Sequence, residues 1–208
     1  MAPAGGALRF RLHPGDAPRR IARATRPFAR AFLCTSVVLL GCRHQPEAAQ
    51  GQSSHSLQVW SSSFADGAPI PPRNTCDGAN LSPALQWSAP PAGTKSIAIV
   101  VHDPDALVDF THWMVFNIPP RIESLPEGAS ERAGLPHGSA EGLNDFGQFG
   151  YAGPCPPSGM HHYIFRVYAL DAPLNLPPGA NRKQVQSGIG GHVLAEGQTT
   201  GTYLHAKP

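Results

Sequence analysis

The sequence predicts a mainly β protein with an antiparallel sheet and one or two short peripheral helices. Of its 208 residues, 22 are glycine and 23 are proline, and both residue types interrupt helices and end strands. The apolar residues between them fall into short alternating or β-branched runs, which are typical of strands. Hydrophobic residues make up 41% of the chain and charged residues 14%, so the composition favours a folded core over disorder.

Residues 1–41 are interpreted as a lipoprotein-type signal peptide. An arginine-rich stretch precedes an apolar run from Ala31 to Gly41, which is about eleven residues long and too short for a membrane span of roughly 20 residues. The sequence Leu39-Leu40-Gly41-Cys42 resembles a lipobox, so we expect cleavage after Gly41 and lipid on Cys42. A non-lipidated signal and an uncleaved anchor are the alternatives.

Residues 42–56 are polar and rich in Gln and Ser, which predicts a flexible tether ahead of a folded domain at 57–206. The charges are segregated: seven arginines and one aspartate precede Cys42, and the rest of the chain has a formal charge of −4. A mildly acidic body without a basic stripe argues against nucleic acid as a partner.

The first half of the body contains four expected strands. HSLQVWSSSF alternates apolar and polar residues from Leu57 and predicts the first strand. A proline-rich and glycine-rich loop then surrounds a short strand that ends at Trp87. The β-branched run Ile97–Val101 predicts a strand that is buried on both faces. THWMVFNIPP is the fourth, and it stops at Pro119.

The second half contains two expected strands and a helix. In HHYIFRVYALD, apolar side chains recur on the face that carries Tyr163, which predicts a half-buried strand. Asn181 is a suitable N-cap for a helix over RKQVQSGI, which the following glycines end. TTGTYLHA is expected to form the final strand.

Polar residues cluster at three strand ends beside rigid loops. Asp103 follows the buried strand, His112 stands near the start of the next strand, and His161 and Tyr163 follow the loop GPCPPSG. Neighbouring strands would bring these side chains to one edge of a sheet, around a small cavity. Imidazole and phenol groups donate to phosphate or carboxylate oxygens, Asp103 accepts from a hydroxyl or ammonium group, and amides beside Gly153 add donors.

Other interpretations of these residues remain open. Each histidine is a candidate for a purely structural residue, and Asp103 before a proline is a candidate for a turn. A metal site at His112, His161 and His162 lacks any HxH or HExxH spacing. A Ser–His–Asp hydrolase would use Ser158, but no G-x-S-x-G motif surrounds a serine.

Several segments together resemble the phosphatidylethanolamine-binding protein family, in its bacterial Raf-kinase-inhibitor-like branch. They are TCDGANLSPALQW, PPAGTKSIAIVVHDPDA, THWMVFNIP and NDFGQFGYAGPCPPSGMHHYIFRVYALD. The resemblance covers roughly Leu57 to Leu204. It implies a central antiparallel sheet flanked by a smaller sheet, little helix, and an anion-binding cavity at one end.

The resemblance also implies a set of ligand-binding residues. Asp103 matches the first aspartate of the DPDA motif, His112 the histidine of the next strand, and His161 and Tyr163 the histidine and aromatic residue after the GPxPP-type loop, to which Gly153 and Pro154 belong. These residues imply a site for phosphate-like groups and phospholipid headgroups. His162, one residue on, should point to the opposite face.

The sequence departs from the family pattern at two positions. Leu107 stands where the family has proline after DPDA, so we expect a differently shaped loop before His112. His162 stands where arginine is common, which removes a fixed positive charge near the cavity rim.

Two cysteines remain in the body once the signal and the lipid site are set aside. An exported protein enters an oxidising compartment, where an even pair is usually bridged. We therefore expect a disulfide between Cys76 and Cys155, which would clamp the loop before His161; two buried free thiols are the alternative.

The sequence as a whole predicts a membrane-tethered bacterial lipoprotein, exported to the cell envelope, that binds a phosphate-like anion or a phospholipid headgroup without catalysis or a cofactor. A surface-loop inhibitor of a protease or signalling protein is the alternative function. A hydrolase that uses His161 and Asp103 is the third hypothesis.

Overall fold

The computed structural model describes residues 55–130 and 134–205, and the strands within these ranges form two sheets. The larger sheet has the order β1-β9-β8-β4-β5-β7 and the smaller the order β2-β3-β6. Every pairing is antiparallel except that of β1 with β9, which is parallel. The strands are β1 His55–Ser56, β2 Val59–Trp60, β3 Leu85–Trp87, β4 Ser96–Asp103, β5 Phe110–Ile118, β6 Ser124–Leu125, β7 Ala140–Glu141, β8 Met160–Leu170 and β9 Val193–Leu204.

Strand β4 is buried on both faces, as its β-branched run predicts. Ile97 and Ile99 belong to an apolar cluster that also contains Trp87 of the smaller sheet, so this cluster fills the space between the sheets. Ala98 and Val100 point the other way, into a second cluster that includes residues of the helix. A strand covered on both faces needs apolar side chains at consecutive positions, which explains why the run does not alternate.

The expected helix forms over the expected residues. Helix α1 spans Arg182–Ile189, and the side chain of Asn181 accepts from the backbone N–H of Gln184 while the Gln184 side chain accepts from the backbone of Asn181. This capping box satisfies two donors that the first turn leaves free, and it stabilises the helix by about 1 kcal/mol. Val185 and Ile189 bury the apolar side of α1 on the larger sheet.

The first alternating segment divides into two strands, so the expectation of one strand there is wrong. β1 pairs with β9 in the larger sheet, whereas β2 pairs with β3 in the smaller. Leu57, between them, is 4% exposed and packs in the cluster between the sheets. The chain changes sheets at this point, which an alternating pattern does not reveal.

Strand β9 is longer than TTGTYLHA predicts, since it begins at Val193 and follows β8 along its whole length. Its first half includes Glu196, Gly197 and Gln198, which interrupt the apolar pattern. A Cβ atom at Gly197 would lie 2.0 Å from the carbonyl oxygen of Leu57, so only glycine lets the chain cross there.

No helix within the described ranges is long and apolar enough to cross a membrane. The signal peptide, the Cys42 lipid site and nearly all of the tether lie outside the described residues.

Candidate ligand-binding cavity

The four predicted side chains meet at one end of the larger sheet. Strand β4 lies between β5 and β8, and it runs antiparallel to both. Asp103 at the end of β4 therefore lies beside His112 near the start of β5 and beside His161 and Tyr163 near the start of β8. All four line one cavity of about 580 Å³.

The carboxylate of Asp103 anchors the cavity, although Asp103 is only 3% exposed. Its Oδ1 atom accepts from the backbone N–H groups of Asp105 and Ala106, at 2.8 and 3.1 Å. Its Oδ2 atom lies 2.7 Å from Nδ1 of His161. These bonds replace the water that burial removes, so Asp103 both forms the turn after β4 and fixes the His161 ring.

The hydroxyl proton of Tyr163 is directed to the same carboxylate. Burial raises the pKa of Tyr163, and the negative charge of Asp103 and a hydrogen bond to it raise that pKa further, while the backbone N–H of Cys155 acts in the opposite direction. The phenol donates to Asp103 and accepts from Cys155. Its expected contact with an anion stays a prediction.

His112 presents an acceptor to the cavity. Its Nδ1 atom lies 2.6 Å from the carbonyl oxygen of Ala152, and since a carbonyl only accepts, Nδ1 carries the proton. Burial lowers the pKa of His112, and it outweighs the bond to Ala152 and the nearby carboxylates, which raise it. The neutral ring is left with a lone pair on Nε2, to which no side chain or backbone group of residues 55–130 and 134–205 donates.

His161 and its neighbour His162 differ as the strand alternation predicts. His161 lines the cavity. The His162 backbone N–H and ring Nδ1 are each 2.8 Å from Oδ2 of Asp105, and its ring is half exposed and not part of the cavity wall. These bonds from His162 are the main reason why the pKa of Asp105 is lowered.

Gly153 and Pro154, by contrast, do not line the cavity. The N–H of Gly153 donates to Oδ1 of Asn80 at 2.8 Å, and the carbonyl of Pro154 accepts from the N–H of Cys76 at 3.1 Å. A Cβ atom at Gly153 would lie 2.6 Å from the carbonyl oxygen of Asn74. The two residues hold the loop against the preceding segment, and their expected contact with a ligand stays a prediction.

The expected disulfide is present between Cys76 and Cys155, whose Cα atoms are 5.5 Å apart. Cys155 also lines the cavity, and the bridge therefore fixes one part of its wall. Among the described residues, one group of three possible metal ligands lies close together, and it consists of these two cysteines and His205. The two sulfur atoms are bonded to each other, so they are not thiolate ligands in this form.

Sequence reasoning missed the apolar part of the wall. The ring of Phe110 lies 5.2 Å from that of His112 and 4.6 Å from that of Phe146. Leu107, Val108 and Phe146 line the mouth and are 107%, 70% and 52% exposed; we call these three residues the apolar rim. The exposed Leu-Val pair after DPDA was the available signal.

The fold and the cavity define a two-sheet β protein with a small cavity at one end of its central sheet. Residues 60–204 match the phosphatidylethanolamine-binding protein family, and the chain belongs to it.

Relatives in sequence and structure agree with this assignment. The UPF0098 protein of Methanothermobacter thermautotrophicus is 50% identical over 141 residues, which cover 67% of this chain and 93% of that protein. A Mycobacterium tuberculosis protein, LppC, proposed to be a lipoprotein, is 41% identical over 154 residues, 73% of this chain and 74% of that protein. The crystal structure of Escherichia coli YbcL, described as a member of the mammalian family, has a TM-score of 0.69 at 36% identity and covers 73% of this chain and 99% of that one.

Proposed function

We propose that the protein binds a small phosphate-like anion, as a free molecule or as a phospholipid headgroup, without catalysis. The observation that carries the proposal is the cavity itself, in which His112 and His161 each have one ring nitrogen fixed by the protein and the other left for a ligand. Concave sites with a few convergent polar groups on an apolar wall are typical of small-molecule binding.

Binding is favoured over hydrolysis by the arrangement of hydroxyl groups. Ser158 lines the cavity and is exposed, but no hydrogen bond within the described ranges joins its hydroxyl to His161. An activated serine needs a base within hydrogen-bond reach. The Asp103–His161 pair therefore supports a role in positioning a ligand.

The apolar rim supports a lipid as the source of the ligand. Leu107 and Val108 project into solvent at the mouth, with the polar groups deeper in the cavity. Exposed apolar side chains of this kind enter the headgroup region of a bilayer, which would bring a headgroup to the mouth.

The N-terminal sequence supports attachment to the same membrane. The lipobox-like segment ends at Cys42, and a tether of about 15 residues reaches at most about 50 Å when extended. That length lets the domain turn its cavity towards the bilayer that holds the lipid. The similarity to LppC also supports a lipid anchor.

We expect weak affinity, in the micromolar to millimolar range, because none of the residues that line the cavity is lysine or arginine. Isothermal titration of the unlipidated Cys42→Ala chain with phosphoethanolamine tests the proposal. His161→Gln should lose binding, whereas His162→Gln is a matched control that changes a histidine outside the cavity wall and should keep it. Equal binding by the two variants would contradict the proposed site.

A further inference from the structure

We infer that His112 selects ligands that carry a hydrogen-bond donor next to their negative charge, such as the P–OH group of a phosphomonoester monoanion or the ammonium group of an ethanolamine headgroup, over oxyanions without such a donor, such as sulfate esters. This inference rests on the proposed binding function and names the ligand form that the same cavity accepts. It follows from which groups in the cavity donate and which accept.

The acceptor at His112 is enforced by the fold. The ring lies in the wall of the cavity and is only 4% exposed, and its Nδ1–H is committed to the carbonyl of Ala152 at 2.6 Å. Edge-on packing against Tyr163, with ring centres 5.1 Å apart, fixes the plane of the ring. A ligand atom at Nε2 therefore meets a lone pair, and an oxygen without a proton is repelled there.

The charges around the His112 ring also disfavour a ligand that carries a second negative charge. Asp103 and Asp105 lie in the turn after β4, Asp145 lies in the loop that pairs with the start of β5, and His161 and Tyr163 come from β8. Arg182 contacts the carboxylates of Asp109 and Asp145, so its charge is compensated outside the cavity. A fully ionised dianion would enter without a lysine or arginine in the wall to balance its charge.

Few hydrogen-bond donors of the cavity remain for an anion, because most are committed to Asp103. The Tyr163 hydroxyl is directed to Asp103, and the ring of His161 is held by the same carboxylate. Because Nδ1–H of His161 donates to Asp103, only the doubly protonated ring has an N–H at Nε2 for an anion. In that form one oxygen of the anion can lie at His161 and the exposed Ser158 hydroxyl, while a protonated oxygen donates to Nε2 of His112. The carboxylate of Asp103 is thus a partner of the protein groups rather than of the ligand.

A comparison of methyl phosphate with methyl sulfate tests whether the cavity prefers an oxyanion that carries a proton. At pH 5 both are monoanions of similar shape, and only methyl phosphate keeps a proton, which it loses near pH 6. Titration of the Cys42→Ala chain should show methyl phosphate binding at least about tenfold more tightly than methyl sulfate, because a ligand without the proton leaves a buried acceptor unpaired. Affinity for methyl phosphate should fall about tenfold per pH unit above about pH 7.

A third probe, dimethyl phosphate, separates the effect of charge from that of the P–OH group, and two variants test whether the preference depends on His112. Dimethyl phosphate has the same charge as the methyl phosphate monoanion but no P–OH group, and it should bind like methyl sulfate. His112→Gln, whose amide can present N–H to the ligand, should abolish the preference, and His162→Gln should retain it. If His112→Gln does not fold, the comparison of the three probes on the Cys42→Ala chain still decides.

The outcomes are distinguishable from those of the proposed function. Equal binding of methyl phosphate and methyl sulfate at pH 5 would overturn the role of His112 and leave anion binding intact. Binding of none of the three probes, nor of phosphoethanolamine, would count against the binding function itself.

Discussion

Nδ1 of His161 lies 2.7 Å from Oδ2 of Asp103, and the other oxygen of that carboxylate holds the turn of residues 103–106. One buried carboxylate thus fixes both the loop at the mouth of the cavity and the His161 ring in the cavity wall. Asp103→Asn should weaken phosphoethanolamine binding more than Asp105→Asn, because Asp105, which also lines the cavity, pairs with His162 rather than with a histidine of the cavity wall. Titration of both variants measures the difference, and equal loss would contradict the assigned roles.

Removal of the disulfide should lower stability and affinity together. Cys76 and Cys155 are 79 residues apart, which corresponds to at most about 4.5 kcal/mol in the chain-entropy treatment. The double variant Cys76→Ser/Cys155→Ser should lose a large part of that free energy of unfolding in urea, and it should bind phosphoethanolamine more weakly because Cys155 lines the cavity.

A reductant provides the control for this prediction. Dithiothreitol should destabilise the protein with the bridge and leave the double serine variant unchanged. A parent protein that keeps the same urea midpoint when its bridge is fully reduced would rule out the stabilising role.

Stability should decline as the pH falls through 6.5. Burial lowers the pKa of His112 from 6.5, so the unfolded chain binds more protons than the folded protein between the lowered pKa and 6.5. The free energy of unfolding therefore rises with pH across this window and is constant below the folded pKa. Each unit of lowering corresponds to about 1.4 kcal/mol.

Urea unfolding at pH 5 and pH 7.5 measures this effect. The parent should be less stable at pH 5, and His112→Gln should show a smaller difference between the two pH values. His137→Gln, which changes an exposed histidine, is the matched control and should behave like the parent. An unchanged difference in His112→Gln would show that other groups cause the pH dependence.

The apolar rim should contribute to membrane contact. Leu107→Ser/Val108→Ser should reduce co-sedimentation of the Cys42→Ala chain with vesicles that contain phosphatidylethanolamine, since it removes two exposed apolar side chains at the mouth. Trp60→Ser changes an exposed apolar residue of the smaller sheet, outside the cavity wall, and should not have this effect. Equal loss in both proteins would argue against a specific rim.

Cys42 should determine where the protein resides. Cys42→Ala should shift the protein from the membrane fraction to a soluble or uncleaved form, because the lipid is the proposed anchor. Mass spectrometry of the membrane fraction should find the lipid on Cys42 in the parent. Unchanged fractionation and mass in the variant would remove the lipoprotein interpretation.

The sequence predicted those parts of the fold that local patterns determine. The β-branched run of β4, the alternation of β8 and the Asn181 cap each predicted an element that the structure contains. The change of sheet at Leu57 and the early start of β9 were missed, because both depend on which distant strand is available for pairing.

The sequence predicted the polar side chains of the candidate site but not its apolar wall. Asp103, His112, His161 and Tyr163 stand at the ends of adjacent strands, where topology brings them together. The directions of their protons were not predictable, because they depend on partners such as the Ala152 carbonyl, 40 residues away. The supporting bonds of Gly153 and Pro154 were not predictable for the same reason, since their polar groups bond to residues 74–80 behind the loop.

Imidazole resonances report directly whether the cavity that His112 and His161 line binds a phosphate-like anion. The two-dimensional NMR spectrum of the Cys42→Ala chain, labelled with ¹⁵N-histidine, should be followed during titration with phosphoethanolamine. We expect the resonances of His112 and His161 to shift together and saturate, while those of His137 and His192, away from the cavity, stay in place. Shifts confined to other histidines at saturating ligand, or no shift at all, would contradict it.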